Sequence, residues 1–193
     1  MIAVCRNTSE YLEELETTVI RGVDVANPAS ASVVAESLKD VDIDVLVNNA
    51  GVLFRGGLDD LNEADIVQQF RINSVAPLTM THALRGRMKP GSKVAIITSR
   101  MGSIADNTSG GSYGYRMSKA AVNAAGKSLA LDLKPDGVAV ALLHPGWVRT
   151  GMTGNQGQIN PSEAAVGLVA RIDELTLEST GGFWHQNGES LPW

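Results

Sequence analysis

Three side chains between residues 98 and 119 are of types that together could move a proton to or from a carbonyl oxygen. Tyr115 and Lys119 are four residues apart, so on a helix the phenol and the ammonium would lie on one face. A free tyrosine has a pKa of about 10, and a cation one helical turn away favours the phenolate and lowers that pKa. Ser99 follows an apolar run, and its hydroxyl could hold a carbonyl oxygen beside the phenol. The pattern predicts acid–base chemistry by Tyr115, although the same spacing also fits an interface tyrosine beside a solvated lysine.

An alternation of strand and helix patterns positions these residues. Short apolar runs predict strands, and the longer segments between them predict helices. The expected strands cover residues 1–5, 18–25, 44–49, 93–98, 138–144 and 182–185. The first expected helix is capped by Thr8 or Ser9. Three others cover residues 28–38, 115–133 and 162–175, the last with Ser162 as its cap. Residues 59–88 are expected to form two helices or one bent pair, interrupted around 73–77.

This alternation predicts one α/β domain over residues 1–193, with a doubly wound, mostly parallel sheet and helices on both faces. Ligands of such sheets bind beyond the carboxyl ends of the strands. Asn49, Ser99, Tyr115 and the loop after His144 all fall at those ends. Residues that are distant in sequence are therefore expected to converge on one site.

The composition argues against several classes of function. The formal net charge of −5 disfavours a nucleic-acid partner, which needs a basic surface. Cys5 is the only cysteine, so neither an intrachain disulfide nor a cysteine metal cluster can form, and the three histidines lack metal-ligand spacing. No apolar run is long enough to span a membrane, and residues 1–10 lack the features of a signal peptide. We therefore expect a cytoplasmic protein that binds no nucleic acid, membrane or metal.

Further motifs follow the predicted strands in a definite order. Asn48-Asn49-Ala50-Gly51 follows the third strand, and Ser99-x-x-Gly102 follows the fourth. Asn73 lies where the helical pattern breaks, and Pro145-Gly146-x-Val148-x-Thr150 follows the fifth strand. Together with the Tyr-x-x-x-Lys pair, these motifs resemble the short-chain dehydrogenase/reductase family over almost the whole chain.

Within that family, two segments are most similar to the branch that includes the C-factor and Sniffer-type carbonyl reductases. They are the stretch from Thr98 to Asn123 and the ending GGFWHQNGESLPW. The resemblance implies a Rossmann-like fold and an oxidoreductase that uses a nicotinamide cofactor. It also implies a small carbonyl compound or alcohol as the substrate.

The resemblance assigns roles to the catalytic positions. Tyr115 would be the general acid and base, and Lys119 would bind the nicotinamide ribose and lower the pKa of the tyrosine. Ser99 would orient the substrate carbonyl. Asn73 would complete a proton relay through water.

It also implies cofactor contacts along the chain. Those near the adenine and its ribose would come from Asp24, Val25, Asn49, Ala50 and Gly51. Those flanking the nicotinamide would come from Pro145, Gly146, Val148 and Thr150. Arg6 stands where family members bind a 2′-phosphate, and no acidic residue there reads a free 2′-hydroxyl. NADP is therefore expected in preference to NAD.

One part of the family pattern is missing. Family members open with a strand, a glycine-rich turn and a helix, a unit of about 30 residues that holds the cofactor pyrophosphate. Here Met1–Arg6 already matches the family's second strand, so the chain is expected to be a truncated Rossmann-like domain with about six strands. Glycines at 110–111 and 151–157 do not open a helix after the first strand, so they are no substitute.

The missing strand would lie between the family's second and fourth strands. Its absence would leave a gap of about 9–10 Å, with unpaired backbone groups that cost about 1–3 kcal/mol each when buried. The leading expectation is that Met1–Arg6 shifts beside Asp44–Asn49 and the sheet closes with six strands, which would move Arg6 and Asp24 from their family positions. The alternative is that the first three elements are loosely attached or exchanged between subunits.

Three functional hypotheses follow. The first is an NADP-dependent oxidoreductase that reduces a carbonyl group with Tyr115 as acid and base. The second is a cofactor-deficient relative that acts as a non-catalytic binding or regulatory protein. The third is that Met1 is a wrongly assigned start and the functional protein is longer. The resemblance also implies that the helices over residues 73–88 and 115–133 pair subunits into a homodimer or homotetramer.

Overall fold

A computed structural model describes all 193 residues, which form six strands and six α-helices in alternation. The strands are β1 (Ile2–Val4), β2 (Thr18–Ile20), β3 (Ile43–Asn48), β4 (Met88–Ile97), β5 (Ala139–His144) and β6 (Gly182–His185). The helices are α1 (Glu10–Glu13), α2 (Ser30–Ser37), α3 (Glu63–Phe70), α4 (Ala76–Leu84), α5 (Tyr113–Leu133) and α6 (Pro161–Glu174).

The strands form two parallel sheets rather than one. One sheet has four strands in the order β3-β4-β5-β6, and the other pairs β1 with β2. Their sequences are those of buried parallel strands: Val140, Leu142 and their neighbours in β5 are apolar at every position before His144. The predicted α/β architecture with about six mostly parallel strands is confirmed.

Helices cover both faces of the four-stranded sheet. Val122 and Leu129 of α5 pack with Val94, Ile96 and Val140 on one face. On the other face, Ile172 of α6 and Leu175 pack with alternate residues of the same strands, Ala95, Ala139, Ala141 and Leu143. The sheet therefore carries buried side chains on both sides, and its carboxyl ends open onto the site described below.

The expectation that Met1–Arg6 moves beside Asp44–Asn49 is wrong, because β1 pairs only with β2. The ladder between them continues past the strands: the Cys5 N–H donates to the Ile20 carbonyl at 3.0 Å, and the Val23 N–H donates to the Cys5 carbonyl at 3.1 Å. Moving β1 would break these bonds and would pull Ile2 from the apolar cluster that it shares with α2 and α4. The four-stranded sheet consequently ends at β3.

Several boundaries differ from the predicted ones for local reasons. The helix α6 begins at Pro161 after Asn160, not at a Ser162 cap, since proline suits the first helical turn. The expected break around residues 73–77 is a π-helical segment, Arg71–Val75, that joins α3 to α4 without a turn. Ser9 caps α1 as one of the two expected residues, with its Oγ accepting from the Leu12 N–H at 3.3 Å.

None of the helices is both long enough and apolar enough to cross a lipid bilayer.

Candidate active site

Ser99 lies just beyond the carboxyl end of β4, where the chain turns towards α5. Its Oγ accepts a hydrogen bond from the Met101 N–H at 3.1 Å and so caps the short 3₁₀ segment Arg100–Gly102. A Cβ at Gly102 would lie 2.7 Å from the carbonyl carbon of Lys119. The turn therefore rests directly on the α5 backbone, and Gly102 permits that approach.

Tyr115 and Lys119 lie one turn apart on α5, as their spacing predicts, and both are buried, with 8% and 4% of their surface exposed. The Lys119 Nζ donates to the carbonyl of Ile97, the last residue of β4, at 2.9 Å. The same nitrogen lies 5.8 Å from the centroid of the Tyr115 ring. The lysine thus ties the first turns of α5 to the end of β4, close to Ser99.

Burial dominates the acid–base behaviour of this pair. It raises the pKa of Tyr115 above its ordinary value, although the Ser99 hydroxyl works in the opposite direction by stabilising the phenolate. Burial also lowers the pKa of Lys119 from 10.5 to about 8. The net shift of the Tyr115 pKa is therefore upward, because burial is its largest cause, and the expected lowering of that pKa by Lys119 stays a prediction. At neutral pH Tyr115 carries its proton and can act as an acid.

Asn73 is buried in the π-helical segment and uses its whole side chain in structural hydrogen bonds. Its Oδ1 accepts from the Val52 N–H, and its Nδ2 donates to the Val52 carbonyl and to the Ser118 Oγ, each at 2.9 Å. Residue 77 is proline and has no N–H, so the α-helical bond to the Asn73 carbonyl cannot form. The Asn73 side chain is therefore occupied by structural hydrogen bonds, and its part in a proton relay stays a prediction.

The turn after β3 brings Gly51 to the same place. A Cβ at Gly51 would lie 3.2 Å from the Asn73 Oδ1 and 3.7 Å from the Lys119 Nζ. Asn49 and Ala50 are exposed at this turn. The Gly51 position is thus beside Lys119, while the predicted adenine-ribose contacts of Asn49 and Ala50 stay predictions.

The loop after β5 holds the Pro145, Gly146, Val148 and Thr150 motif. Gly146 has a φ of +86°, and a Cβ there would lie 3.0 Å from the Ile159 Cδ1, so glycine suits this turn. Val148 bridges to Ile159, and Thr150 caps the 3₁₀ segment Gly151–Thr153. The loop is a folded unit at the carboxyl end of β5.

His144, which precedes this loop, connects it electrostatically to the buried cluster. Burial lowers the pKa of His144 to about 3, and the positive charges of His185, Arg100 and Lys119 act in the same direction. His144 also packs edge-on against His185, with ring centroids 5.0 Å apart. The imidazole is therefore neutral at physiological pH, and Lys119 is near enough to the loop to influence it.

Arg6, Asp24 and Val25 lie apart from this cluster, at the end of the two-stranded sheet. The Arg6 side chain is exposed and makes no hydrogen bond, while the Asp24 Oδ1 accepts from the Ala26 N–H at 2.9 Å. Val25 packs on the apolar cluster of α2 and α4. No side-chain hydrogen bond or ion pair joins these residues to Tyr115 or Lys119, so their cofactor roles stay predictions.

Sequence reasoning missed two buried polar residues that hold the site together. The Ser118 Oγ accepts from Asn73 and donates to the Tyr115 carbonyl at 2.8 Å, and so links the π segment to the first turn of α5. The Gln69 Oε1 accepts from the Phe54 N–H at 2.9 Å. Gln69 precedes Asn73 by four residues, and this pair of amides on one helical face was the signal available in the sequence.

Comparison with known proteins shows which family the chain belongs to. Residues 3–175 match the adh_short_C2 family model, described as enoyl-(acyl carrier protein) reductase. The chain belongs to the short-chain dehydrogenase/reductase family. It is 42% identical over 199 residues to 1-hydroxy-2-glutathionyl-2-methyl-3-butene dehydrogenase of Rhodococcus sp. (strain AD45), covering 100% of this chain and 88% of that protein.

Two solved structures of carbonyl reductases superimpose on this family member. The carbonyl reductase Sniffer of D. melanogaster gives a TM-score of 0.89 at 31% identity, covering 100% of this chain and 87% of the other. The NADPH-bound carbonyl reductase from chicken fatty liver gives 0.87 at 26% identity, with the same coverage. The predicted family is confirmed, and its likeness extends over both sheets.

The residues of this short-chain dehydrogenase/reductase fit one end of a nicotinamide cofactor better than the other. Lys119, Gly51 and the loop from Pro145 to Thr150 surround the carboxyl ends of β3 to β5, where a nicotinamide ribose would lie. The connection from β1 to α1 contains no glycine, and α1 opens with Glu10 and Glu13, whose charges oppose phosphate binding at a helix N-terminus. This connection is therefore not a glycine-rich phosphate-binding turn.

The buried lysine makes stability depend on pH. Because the pKa of Lys119 falls from 10.5 to about 8 on folding, the native state holds fewer protons than the unfolded state between these pH values. The free energy of unfolding should therefore gain a rising contribution across that window. Lys119→Met removes it, so wild type should gain about 1–3 kcal/mol relative to the variant between pH 7.5 and 10.

Urea denaturation at a series of pH values measures this difference. Lys127→Met, on an exposed lysine of the same helix, is the matched control and should leave the difference from wild type constant with pH. A constant difference for Lys119→Met as well would contradict the buried-lysine account.

Proposed function

We propose that this protein is an NADP-dependent carbonyl reductase that acts on a small carbonyl compound or its alcohol. The observation that carries the proposal is the buried cluster of Ser99, Tyr115 and Lys119 at the carboxyl end of β4. A protonated phenol beside a hydroxyl and an ammonium is equipped to bind a carbonyl oxygen and to give it a proton.

Each side chain has a separate task in this proposal. The Ser99 Oγ donates a hydrogen bond to the carbonyl oxygen and holds it beside the Tyr115 hydroxyl. Tyr115 gives its proton to that oxygen as negative charge develops there, and the Lys119 ammonium stabilises the resulting phenolate. Water held by the Asn73 carbonyl returns a proton to the site through Lys119. A bound NADPH would supply hydride to the carbonyl carbon.

The preference for NADP rests on charge. Arg6 is exposed just after β1 and forms no ion pair, so its guanidinium is free to bind a 2′-phosphate. The chicken carbonyl reductase that this chain resembles was solved with NADPH bound. We infer the same cofactor here, with NAD as the weaker ligand.

A second candidate function is a cofactor-deficient protein that binds a partner without catalysis. The observation that favours it is the β1–α1 connection, which contains no glycine and leads into a helix with two acidic residues in its first turn, so Arg6 is the only cation there for a cofactor phosphate. This candidate keeps the same fold and the same buried cluster.

Titration with NADPH and NADH separates the two candidates. Fluorescence of the bound reduced cofactor would give both dissociation constants, and absorbance at 340 nm would report its oxidation with a panel of aldehydes and ketones. Saturable binding that is at least tenfold tighter for NADPH, with substrate-dependent oxidation, is the result expected for a reductase. No binding at millimolar cofactor would overturn the reductase proposal and favour the second candidate.

We further propose that the protein is a homodimer or homotetramer. Exposed apolar residues recur along α3, the π-helical segment and α4, namely Val67, Phe70, Val75 and Leu78, and Met117 and Leu131 are exposed on α5. An apolar stripe of this kind on two neighbouring helices suits a second copy.

Phe70→Glu should therefore convert the oligomer to monomer in gel filtration with light scattering, since a charge would be buried at the interface. Val166→Glu, on the exposed side of α6, is the matched control and should leave the assembly unchanged. A monomeric wild-type protein at micromolar concentration would contradict the proposed assembly.

A further inference from the structure

Residues 103–112 form the loop between the Ser99 turn and the helix that carries Tyr115. The loop contains no helix or strand, and Ile104, its one large apolar residue, is 81% exposed. Apolar packing therefore holds little of this loop, and polar contacts determine its conformation. Because the loop runs between the two side chains proposed to bind the carbonyl oxygen, its conformation shapes the adjacent wall of the site.

Arg100, the residue after Ser99, holds the first half of the loop through two carboxylates. Its Nη2 donates to the Glu189 Oε1 at 2.7 Å, and its Nε lies 3.1 Å from the Asp106 Oδ2. The Nε is buried and its contact with Asp106 is not aligned as a hydrogen bond, so the attraction between the charges holds this pair. These two contacts form an ionic clamp that joins the loop to the segment after β6.

A backbone contact lies beside the ionic clamp. The Ala105 N–H donates to the Trp193 carbonyl at 2.9 Å, and the indole of Trp193 packs on Phe183 of β6, with ring centroids 5.5 Å apart. Leu191 is buried, and its N–H donates to the Phe183 carbonyl at 2.8 Å. Residues 189–193 are therefore fixed on β6 and support the first half of the loop.

Arg116, the residue after Tyr115, holds the second half of the loop without a carboxylate. Its Nε donates to the carbonyls of Gly110 and Gly111, each at 3.2 Å, and its Nη2 donates to the Ser109 Oγ at 2.9 Å. Both glycines have a φ of +64°, a conformation that glycine adopts readily. These contacts form a second clamp, in which the partners of the guanidinium are neutral.

We propose that Arg100 and Arg116 are positioning residues that set substrate selectivity by fixing the loop of residues 103–112. Each arginine directly follows, in sequence, one of the two side chains that would contact the substrate, so each clamp fixes the loop relative to such a side chain. A planar guanidinium holds several partners at once in a fixed geometry, which a lysine ammonium does not. The effect on selectivity rests on the proposed reductase activity, whereas the effect on the loop rests on the contacts alone.

Amide hydrogen exchange tests the ionic clamp without cofactor or substrate. Arg100→Gln removes the charge and should speed exchange of the Ala105 amide at least threefold, while the urea midpoint of unfolding stays that of wild type. Raising NaCl from about 0.1 M to about 1 M should speed exchange of this amide in wild type, because salt screens half-exposed ion pairs. The same change of salt should have little effect in Arg100→Gln.

Arg21→Gln is the matched control, since it removes another surface ion pair, with Glu13, beside the two-stranded sheet. It should leave exchange of the Ala105 amide as in wild type. Unchanged exchange of Ala105 in Arg100→Gln would overturn the proposal, because the loop would then keep its position without the ionic clamp.

Kinetics with two aldehydes, one linear and one branched, test the effect on selectivity. Arg100→Gln and Arg116→Gln should each change the ratio of the two kcat/KM values at least threefold, and the change should appear in KM rather than in kcat. Arg100→Lys keeps the charge and should recover part of the wild-type ratio. A role in stability alone would not change this ratio.

An unchanged ratio in both glutamine variants of an active enzyme would overturn the proposal. A wild-type protein that reduces no carbonyl compound would overturn the reductase activity and, with it, the effect on selectivity. The exchange of Ala105 would still decide whether Arg100 positions the loop, so the two proposals can fail separately.

Discussion

Replacing Tyr115 by phenylalanine is expected to lower kcat/KM for carbonyl reduction by about 10²–10⁴-fold, the range associated with loss of a positioned general acid. The ring remains, so packing against the Lys119 Nζ at 5.8 Å from its centroid is kept. The variant lacks the hydroxyl group that donates the proton. Cofactor affinity should change little, since the phenol acts on the carbonyl oxygen, and the loss should appear mainly in kcat.

Tyr113→Phe is the matched control for this experiment. Tyr113 lies two residues earlier on the same helix, is 39% exposed and has no lysine four residues later. Its loss should leave kcat within about twofold of wild type, as is usual for surface changes outside a functional site. Equal activity of Tyr115→Phe and Tyr113→Phe would remove Tyr115 from the mechanism.

The tyrosine titration gives a second readout that needs no cofactor. Because burial raises the pKa of Tyr115, its phenolate should form at the alkaline end of the absorbance titration near 295 nm. Tyr115→Phe should delete that last component from a protein with three tyrosines. A titration in which the variant loses an early component would contradict the effect of burial.

Gly102→Ala is expected to destabilise the fold by about 1–3 kcal/mol, the usual result of forcing an extra methyl group into a packed contact. The added Cβ would lie 2.7 Å from the carbonyl carbon of Lys119 and 2.8 Å from its oxygen. These are backbone atoms of a buried helix and cannot rotate away. The turn that holds Ser99 must move from α5, so activity should fall more than the loss of stability alone explains.

Gly86→Ala is the matched control, since a Cβ at that position meets nothing within 4 Å and its backbone is in an ordinary helical region. Chemical denaturation should give Gly86→Ala a stability within about 0.5 kcal/mol of wild type, and its kcat should be unchanged. If Gly102→Ala unfolds at the same denaturant concentration as Gly86→Ala, the contact between the Ser99 turn and α5 has room for a side chain at residue 102, and the prediction is wrong.

Local patterns in the sequence were sufficient for the elements and for most of the site. The apolar run before Ser99 and the four-residue spacing of Tyr115 and Lys119 depend only on strand and helix periodicity, and both residues lie where those patterns put them. The strand–helix alternation likewise predicted the parallel sheet. These features depend on neighbours a few residues away, which is why one sequence can specify them.

Tertiary structure decided what depends on distant contacts. The net direction of the Tyr115 pKa shift follows from how much water the surrounding elements exclude, and a nearby lysine does not determine that. The Asn73 side chain forms its hydrogen bonds with Val52 and Ser118, which lie 21 and 45 residues away in sequence.

The split sheet is the clearest case. The apolar runs of the sequence identified β1 and β3 as strands, and they left open which strand β1 would join. Two apolar strands offer β1 similar side-chain contacts, so the local sequence does not decide which of them it pairs with. Contacts with distant parts of the chain decide it. The bonds of Cys5 to Ile20 and Val23, and the helical layer beneath Ile2, keep β1 with β2 and leave the edge of β3 open.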